Sequence, residues 1–276
     1  MMKLLRHIAG TALSLGLCTG AVLAQNNGTT DLRSLDTENE ALVWQAIGRL
    51  DSAKGSYCTG TLISPDLVLT AAHCVFAGND LVKPSDLTFQ AGLTHGTAAA
   101  KRQVSQIEVL NTYDPANGMS AVNIRTDVAL VRLAERIPTH ELDPFVVYSG
   151  QLPKGPVSVV SYGKGRSEAL SRQDQCQVVH TQTGLIALDC DLTFGSSGAP
   201  VFTHLNGRGQ IVALISGGGS WGGKDVALGM ILPEVVGALK RQMRANKPAP
   251  RARVKRLTVG GNKGGTGAKF VTAKGS

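Results

Sequence analysis

The sequence predicts an all-β protein made of two paired β-barrels, with a helix near the C-terminal end. Short apolar runs of strand length recur along the chain and are bounded by Pro, Gly, Asn or Asp. A stretch with four prolines at residues 134–156 separates these runs into two groups. A helical pattern follows, with Val235, Val236, Leu239 and Met243 along one face. Regularly spaced short strands with one terminal helix are typical of paired barrels.

Residues 1–24 have the features of a secretory signal peptide. Lys3 and Arg6 form a basic start, residues 8–23 carry no formal charge, and Ala24 ends a small-residue cleavage site. A membrane anchor is the weaker alternative, because this run is shorter than the roughly 20 residues that a spanning helix needs. No other stretch is long and apolar enough to cross a membrane. We therefore expect an exported protein, either secreted or periplasmic.

The rest of the chain divides into a leader, a folded domain and a tail. Residues 25–41 are polar and acidic, and we expect a flexible leader or short propeptide there. The domain is expected at 42–240, with a first barrel at about 42–140 and a second at about 150–232. The strand predictions are Thr61–Ile63, Leu67–Leu69, Val128–Leu133, Val157–Tyr162, Gln177–Cys190 with a turn at Thr183-Gly184, and Pro200–His204 and Gln210–Ser216 around an Asn206-Gly207 hairpin turn. The helix is expected at Pro233–Met243.

The positive charge of the chain is concentrated at its end. Residues 25–239 hold 15 Lys and Arg against 20 Asp and Glu, whereas residues 240–276 hold 11 Lys and Arg and no acid. From residue 246 the chain is rich in Pro, Gly, Lys and Arg, and too poor in large apolar residues to offset its ordering entropy. We expect a disordered basic tail that could bind anionic surfaces weakly. A solvated extension without a partner is equally compatible with this composition. Sequence-specific nucleic-acid binding is not expected.

Four cysteines remain after removal of the signal, namely Cys58, Cys74, Cys176 and Cys190. An even number in an exported protein favours two disulfides. Of the three pairings, the simplest joins sequence neighbours, Cys58 with Cys74 and Cys176 with Cys190. Zinc binding is the alternative, but there is no Cys-x-x-Cys pair, and we expect no metal.

Three short segments carry residues that could act together in catalysis. They are Leu69-Thr-Ala-Ala-His73-Cys74, Thr126-Asp127-Val-Ala-Leu-Val-Arg-Leu133 and Gly195-Ser-Ser197-Gly-Ala-Pro200. Each segment resembles a motif of the trypsin-like (chymotrypsin-fold) serine proteases, and the order His, Asp, Ser is that of the family. The third segment looks nearest to the bacterial branch that includes the glutamyl endopeptidases. The resemblance covers about residues 42–240 and implies two packed six-stranded β-barrels with a C-terminal helix.

The resemblance also implies a role for each residue. Ser197 would be the nucleophile, His73 the base that takes its proton, and Asp127 the carboxylate that orients the imidazole. The backbone N–H groups of Gly195 and Ser197 would form the oxyanion hole. The substrate would be a peptide or protein, and no cofactor is expected. The alternative is a catalytically inactive, protease-like binding protein, because fold alone does not fix function.

One departure from the animal members of this family concerns activation. Those members have Asp before the nucleophile, and a newly cut N-terminal amine pairs with it. Here the position is Ser196, and no Ile-Val-Gly-Gly sequence occurs near residues 40–48. A hydroxyl cannot hold a buried ammonium as a carboxylate does. We therefore expect a site that forms without that ion pair.

The resemblance gives four candidate residues for substrate preference. Asp191, six residues before Ser197, would lie at the floor of the pocket and select Arg or Lys. Ser216, Gly217 and Gly218 would form the opposite wall. Ile215 replaces the His that glutamyl enzymes carry before this wall, so a preference for Glu is not expected. The alternative for Asp191 is a structural position next to Cys190, away from the pocket.

Overall fold

The computed structural model describes residues 32–152, 154–204 and 207–246. In chain order its strands are β1 Arg33–Ser34, β2 Ile47–Ser52, β3 Tyr57–Ser64, β4 Leu67–Thr70, β5 Phe76–Ala77, β6 Asp80–Leu81, β7 Leu87–Ala91, β8 Ala100–Val109, β9 Ala129–Leu133, β10 Val157–Gly163, β11 Arg166–Cys176, β12 Val178–Gln182, β13 Leu185–Leu188, β14 Pro200–Thr203, β15 Gln210–Trp221 and β16 Lys224–Ile231. The helices are α1 Glu38–Leu42, α2 Ala121–Ile124 and α3 Glu234–Ala245. The predicted signal peptide and nearly all of the predicted basic tail lie outside the described residues.

The first unit is a closed six-stranded barrel in the order β2-β3-β4-β9-β8-β7. Its strands are antiparallel, and successive side chains alternate between the interior and the surface. In β7, for example, Leu87, Phe89 and Ala91 are fully buried, while the two residues between them are partly exposed. The prediction of an all-β fold with a six-stranded barrel is confirmed here.

The second unit differs in detail from the predicted six-stranded barrel. It is an eight-stranded sheet in the order β1-β11-β10-β14-β15-β16-β13-β12. Arg33 and Ser34 of β1 pair with Arg172 and Ser171, so they occupy part of the outer edge of β11. Because β11 pairs there with β1 and not with β12, the hydrogen-bonded ladder of the described strands does not close on itself.

The same pairing corrects the prediction of a flexible leader at residues 25–41. Leu35 is 1% exposed, and its N–H donates to the Leu170 carbonyl oxygen at 2.8 Å. Thr37 caps α1 by accepting a hydrogen bond from the backbone N–H of Glu40. The described part of this segment is therefore packed on the second unit. The entropy cost of ordering this segment is offset by the burial of Leu35 and by the pairing of β1 with β11. The local composition did not reveal either contact.

A long connection and an aromatic cluster join the two units. β9 ends at Leu133 and β10 begins at Val157, which agrees with the proline-rich connector. Trp44, Phe145 from the connector and Phe202 from β14 pack with ring centroids 4.7–5.8 Å apart. Large buried aromatic surfaces of this kind contribute strongly to packing. One hydrophobic cluster thus contains buried residues of both units, and a second cluster lies within the second unit alone.

The predicted helix and turn are both present. α3 buries Val236, Leu239 and Met243 and extends two residues beyond the predicted end. Thr183 and Gly184 have φ values of +44° and +81°, as required by a tight turn between β12 and β13. In the other predicted turn, Asn206 lies outside the described residues.

Both predicted disulfides are present. Cys58 bonds to Cys74 and Cys176 bonds to Cys190, with Cα–Cα distances of 6.1 and 5.3 Å. Among the described residues, Cys58, His73 and Cys74 form a group whose possible metal-ligand atoms lie within 4.8 Å of one another. A cysteine binds metal as a thiolate, and both sulfurs of this group are already in a disulfide. Among the described residues, no helix has the length and apolar character to span a bilayer.

Candidate active site

A cleft of about 630 Å³ lies between the two units and contains the predicted catalytic residues. The first barrel contributes His73 and Asp127, and the second unit contributes Ser197. Ser216, Gly217 and Gly218 line the same cleft, and their role as a wall of the substrate pocket stays a prediction. The fold thus brings six of the predicted site residues to one place, and Ser196, the neighbour of Ser197, also lines the cleft.

His73 and Asp127 are brought together by the pairing of two strands. Thr70 at the end of β4 pairs with Ala129 at the start of β9. His73 follows β4 on a short 3₁₀ turn, and Asp127 precedes β9, so the two residues meet beyond the ladder. His73 Nδ1 lies 2.8 Å from Asp127 Oδ2, and the His73 backbone N–H donates to Asp127 Oδ1 at 2.9 Å.

These two contacts fix the orientation of the imidazole. The carboxylate accepts a hydrogen bond from the Nδ1–H group, which leaves Nε2 of a neutral ring as the proton acceptor. The Asp127 side chain is 4% exposed and the His73 side chain is 38% exposed. The carboxylate is therefore shielded from water, while the ring faces the cleft where a substrate would lie.

Ser216 has a contact that the sequence did not predict. Its hydroxyl donates to Asp127 Oδ2 at 2.5 Å. Together with the two hydrogen bonds from His73, Asp127 accepts three hydrogen bonds. A buried carboxylate needs such donors to compensate for the water that it loses. Ser216 thus supports the His–Asp pair in addition to lining the cleft, and its spacing from Ser197 was the only signal for it.

The Ser197 hydroxyl donates to the carbonyl oxygen of Ser216 at 3.2 Å. Among the described residues, this is the hydrogen bond that the Ser197 hydroxyl donates, and the hydroxyl makes no hydrogen bond to His73. Hydrogen bonds between nucleophile and base are often long or absent before substrate binds. Ser197 and His73 both line the cleft and a second cavity beside it. A substrate in the cleft could therefore contact both residues.

Two glycines next to Ser197 are required by close approach to the first barrel. A Cβ atom at Gly195 would lie 2.3 Å from Tyr57 Cε2, and one at Gly198 would lie 2.2 Å from the Thr59 carbonyl oxygen. Both residues also have positive φ, of +93° and +78°. The Gly-Ser-Ser-Gly sequence therefore lets the nucleophile loop touch β3.

The N–H groups of Gly195 and Ser197 are available as the predicted oxyanion donors. Neither N–H donates to another group among the residues that the structure describes. The Ser197 carbonyl oxygen accepts from the Thr59 N–H at 2.9 Å, which fixes the backbone of Ser197 itself. Two unused N–H groups beside a nucleophile are what an oxyanion hole requires.

Asp191 is placed apart from the other site residues. It is exposed and lines a neighbouring cavity of about 980 Å³ with Leu192, Gly218 and Asp225. Leu192 and Gly218 line both this cavity and the cleft at Ser197. Burial lowers the pKa of Arg166, and the charge of Asp191 partly opposes that shift. Asp191 therefore has a protein cation nearby, which the sequence did not indicate.

Two exposed apolar side chains at the cleft were also missed. Phe194 is 81% exposed and lies beside Ser197, between the two cavities that His73 lines. Met119 is 47% exposed and covers Gly217, where a Cβ atom would lie 3.0 Å from Met119 Cε. Nothing in their local sequence distinguishes them from ordinary loop residues.

Sequence comparison gives one family match and several relatives. A family model described as a trypsin-like peptidase domain matches residues 58–214. Serine protease SP24D of Anopheles gambiae is 28% identical over 166 residues, covering 53% of this chain and 58% of its own length. A glutamyl endopeptidase of Bacillus licheniformis is 26% identical over 189 residues, covering 65% of this chain and 55% of its own length. The chain thus spans a little over half the length of these relatives.

Structure comparison agrees at the level of the fold. A solved structure titled "Structure of Glu endopeptidase in complex with MPD" matches with a TM-score of 0.65 and 18% identity. The match covers 79% of this chain and 98% of the other. At this identity the likeness concerns the architecture alone.

Proposed function

Because the chain belongs to the trypsin-like peptidase domain family, we propose that it is an exported serine endopeptidase that uses His73, Asp127 and Ser197. The observation that carries this proposal is the hydrogen bond of 2.8 Å between His73 Nδ1 and Asp127 Oδ2. Both residues line the same cleft as Ser197. One relative named as a serine protease and another named as an endopeptidase support the same class of activity.

The first half of the reaction forms an acyl-enzyme. Ser197 Oγ attacks the carbonyl carbon of the scissile peptide bond, and its proton passes to His73 Nε2. The carbonyl oxygen becomes an oxyanion, which accepts hydrogen bonds from the N–H groups of Gly195 and Ser197. His73 then gives its proton to the leaving nitrogen, the C–N bond breaks, and the amine product departs.

The second half repeats these steps with water. Water loses a proton to His73 Nε2 and attacks the ester carbon, and the Ser197 Oγ–carbon bond breaks as the proton returns to Oγ. Asp127 holds the imidazole in place and stabilises the imidazolium in both halves. Ser216 supports Asp127 through its hydroxyl. Each of these steps uses groups of this chain and water.

Covalent labelling tests the proposed nucleophile. A fluorophosphonate probe should label the wild-type protein and fail to label Ser197→Ala. Turnover of a peptide amide by that variant should fall by roughly 10⁴-fold or more. Ser220→Ala, which removes an exposed hydroxyl from the same strand as Ser216, is the matched control and should be labelled normally.

The alternative is a protease-like binding protein without activity. It predicts no labelling of the wild-type protein and no turnover of any peptide, with normal folding. The intact set of His73, Asp127, Ser197 and two unused N–H groups favours the enzyme, because a binding protein has no need of them.

We also propose a preference for Arg or Lys before the scissile bond. The cavity that shares Leu192 and Gly218 with the cleft at Ser197 is lined by Asp189, Asp191 and Asp225, with Lys224 as the lining cation. This acidic balance favours a positively charged side chain. The likeness to glutamyl endopeptidases would instead suggest a preference for Glu, and Ile215 at the cleft offers no charge to hold a carboxylate.

A set of peptide amides that differ only in the residue before the scissile bond tests this preference. Arg should give the highest kcat/KM, above Glu, Phe and Ala, and Asp191→Asn should lower the Arg value selectively. Asp80→Asn, at an exposed strand residue away from the cavity, should leave the ranking unchanged. A protein that cleaves after Glu and ignores Arg contradicts the preference but not the triad.

Export and the basic tail complete the proposal. We propose that residues 1–24 are removed on export to the periplasm or the medium. Two disulfides agree with export, because disulfides persist in oxidising compartments.

The basic tail would bind anionic surfaces, at about 1 kcal/mol for each Lys or Arg near an anionic membrane. Adsorption to vesicles rich in anionic lipid should weaken with salt and be lost on deletion of residues 247–276. Adsorption that survives deletion contradicts this role.

A further inference from the structure

The turn between β10 and β11 contacts the loop that holds the oxyanion donors, here called the oxyanion loop and comprising residues 193–197. The backbone N–H of Lys164 in this turn donates to the Phe194 carbonyl oxygen at 2.7 Å. In a planar trans peptide the C=O and the following N–H point in opposite directions. The contact with Lys164 therefore directs the Gly195 N–H away from the turn. In that direction the N–H donates to no acceptor among the described residues.

The next peptide of the loop is fixed from the opposite side. Thr59 Oγ1 donates to the Gly195 carbonyl oxygen at 2.8 Å and accepts from the Tyr162 N–H at 3.0 Å. Ser196 N–H donates to the Thr193 carbonyl oxygen at 3.0 Å. Consecutive peptides of the oxyanion loop are thus held by the β10–β11 turn of the second unit and by β3 of the first barrel.

The side chain of Ser196 continues into a buried polar chain. Ser196 is 1% exposed and Ser161 is 3% exposed, and their hydroxyl oxygens lie 3.3 Å apart. Arg166 Nη1 lies 3.3 Å from both Ser161 Oγ and the Ser161 carbonyl oxygen. A guanidinium only donates hydrogen bonds. Ser161 Oγ therefore accepts from Arg166, and it also shares a hydrogen bond with Ser196 Oγ, in which either hydroxyl can donate.

Gly163 provides the space that Arg166 occupies behind the oxyanion loop. A Cβ atom at Gly163 would lie 2.7 Å from Arg166 Cζ and 2.6 Å from Thr193 Cγ2. The guanidinium therefore packs on a glycine backbone directly behind the oxyanion loop. A substitution by Ala at this position would displace either Arg166 or the loop.

From these contacts we propose that Arg166, acting through Ser161 and Ser196, is a positioning residue that holds the oxyanion loop in its active conformation. This inference rests on the proposed serine endopeptidase function. It supplies the support for the loop from inside the second unit, so the site needs no ion pair with a newly cut N-terminal amine. A charged donor at the start of a hydrogen-bonded chain strengthens each of its links.

Arg166→Met is the main test, because it removes the donors and keeps an apolar stem of similar length. For a peptide amide with Ala before the scissile bond, which does not use the charge of Asp191, we expect kcat to fall by about 10- to 100-fold, with KM changed by less than about threefold. A peptide aldehyde, whose adduct places an oxyanion in the hole, should bind more weakly by a similar factor. A merely structural role would not weaken aldehyde binding in step with kcat.

Arg172→Met is the matched control. Arg172 lies on the same strand, is half-buried, pairs with Asp174 and stacks on Trp44, away from the oxyanion loop. This variant should keep kcat and aldehyde affinity within about twofold. Thermal unfolding of both variants identifies any general loss of fold, and Arg166→Lys should restore part of the lost activity.

A double-mutant cycle tests whether Arg166 and Ser161 act through one chain. Ser161→Ala should lower kcat in the same way as Arg166→Met, and the double variant should be little worse than either single one. Additive losses contradict the chain. A wild-type protein that fails to react with the fluorophosphonate contradicts the proposed function itself. A reactive wild type whose Arg166→Met variant has unchanged kcat and aldehyde affinity overturns the positioning role alone.

Discussion

The hydroxyl of Ser216 donates a hydrogen bond to Asp127 across the interface of the two units, with 2.5 Å between Oγ and Oδ2. The two residues are 89 positions apart in the sequence. Ser216 also accepts the hydrogen bond of Ser197 through its carbonyl oxygen. One residue of β15 thus contacts both the carboxylate of the first barrel and the proposed nucleophile of the second unit.

Ser216→Ala tests the importance of that contact. The change leaves Asp127 with only its two hydrogen bonds from His73, and it keeps the backbone carbonyl that Ser197 contacts. A hydrogen bond to a charged group is worth about 1.5–3 kcal/mol, so we expect kcat to fall by roughly tenfold or more. Steady-state kinetics measure this effect, and Ser220→Ala again serves as the control. Equal activity of the two variants would show that the contact is dispensable.

Gly198→Ala tests the close approach of the nucleophile loop to β3. The new Cβ would lie 2.2 Å from the Thr59 carbonyl oxygen, in addition to the strain of a φ of +78°. Gly223 has the same φ and no atom within 4 Å of a Cβ there, so Gly223→Ala measures the strain alone, of order 1–3 kcal/mol. We expect Gly198→Ala to lose clearly more stability, and nearly all activity. Equal shifts in midpoint on chemical unfolding would contradict the steric argument.

Cys176→Ser with Cys190→Ser tests the second disulfide. This bond closes a loop with a sequence separation of 14 residues, which corresponds to about 3 kcal/mol in the chain-entropy model. We expect a loss of that order in the free energy of unfolding, measured with urea, and little change in KM for peptides. If the oxidised wild type and the double variant unfold at the same urea concentration, the bond makes no net contribution.

Tyr162 gives a prediction for alkaline pH. Its side chain is fully buried, with its hydroxyl donating to the Leu93 carbonyl oxygen at 3.0 Å, and burial raises its pKa. The unfolded chain would ionise this phenol near pH 10. The stability that neutral Tyr162 contributes is therefore fully present below pH 10 and is lost as pH rises towards the folded-state pKa.

The variant Tyr162→Phe should remove this pH dependence. Between pH 10 and 11.5 the wild type should lose up to about 1.4 kcal/mol per pH unit more than the variant. The variant itself should be less stable at neutral pH, because it leaves the Leu93 carbonyl oxygen without its donor. Urea unfolding at a series of pH values measures both effects. Parallel curves for the two proteins would contradict the assignment.

Much of the local structure was predictable because it depends on short patterns. The turn at Thr183-Gly184, the apolar face of α3 and the strands around Leu62, Val68 and Val131 agree with their sequence signals. The two disulfides join the nearest cysteines, as the simplest pairing predicts. The site motifs were visible for the same reason, although the catalytic roles of their residues stay a prediction.

The sequence by itself determined the β-rich character, the two units and the residue types that could form a catalytic triad, since periodicity, turn residues and short motifs are local. Only the tertiary structure decided that Ser216 reaches Asp127, that Arg166 lies behind Ser196, and that β1 pairs with β11. The first contact depends on how the two units approach each other, and the other two depend on how segments of the second unit pack together. No local pattern encodes that geometry, because it arises from the packing of the whole chain.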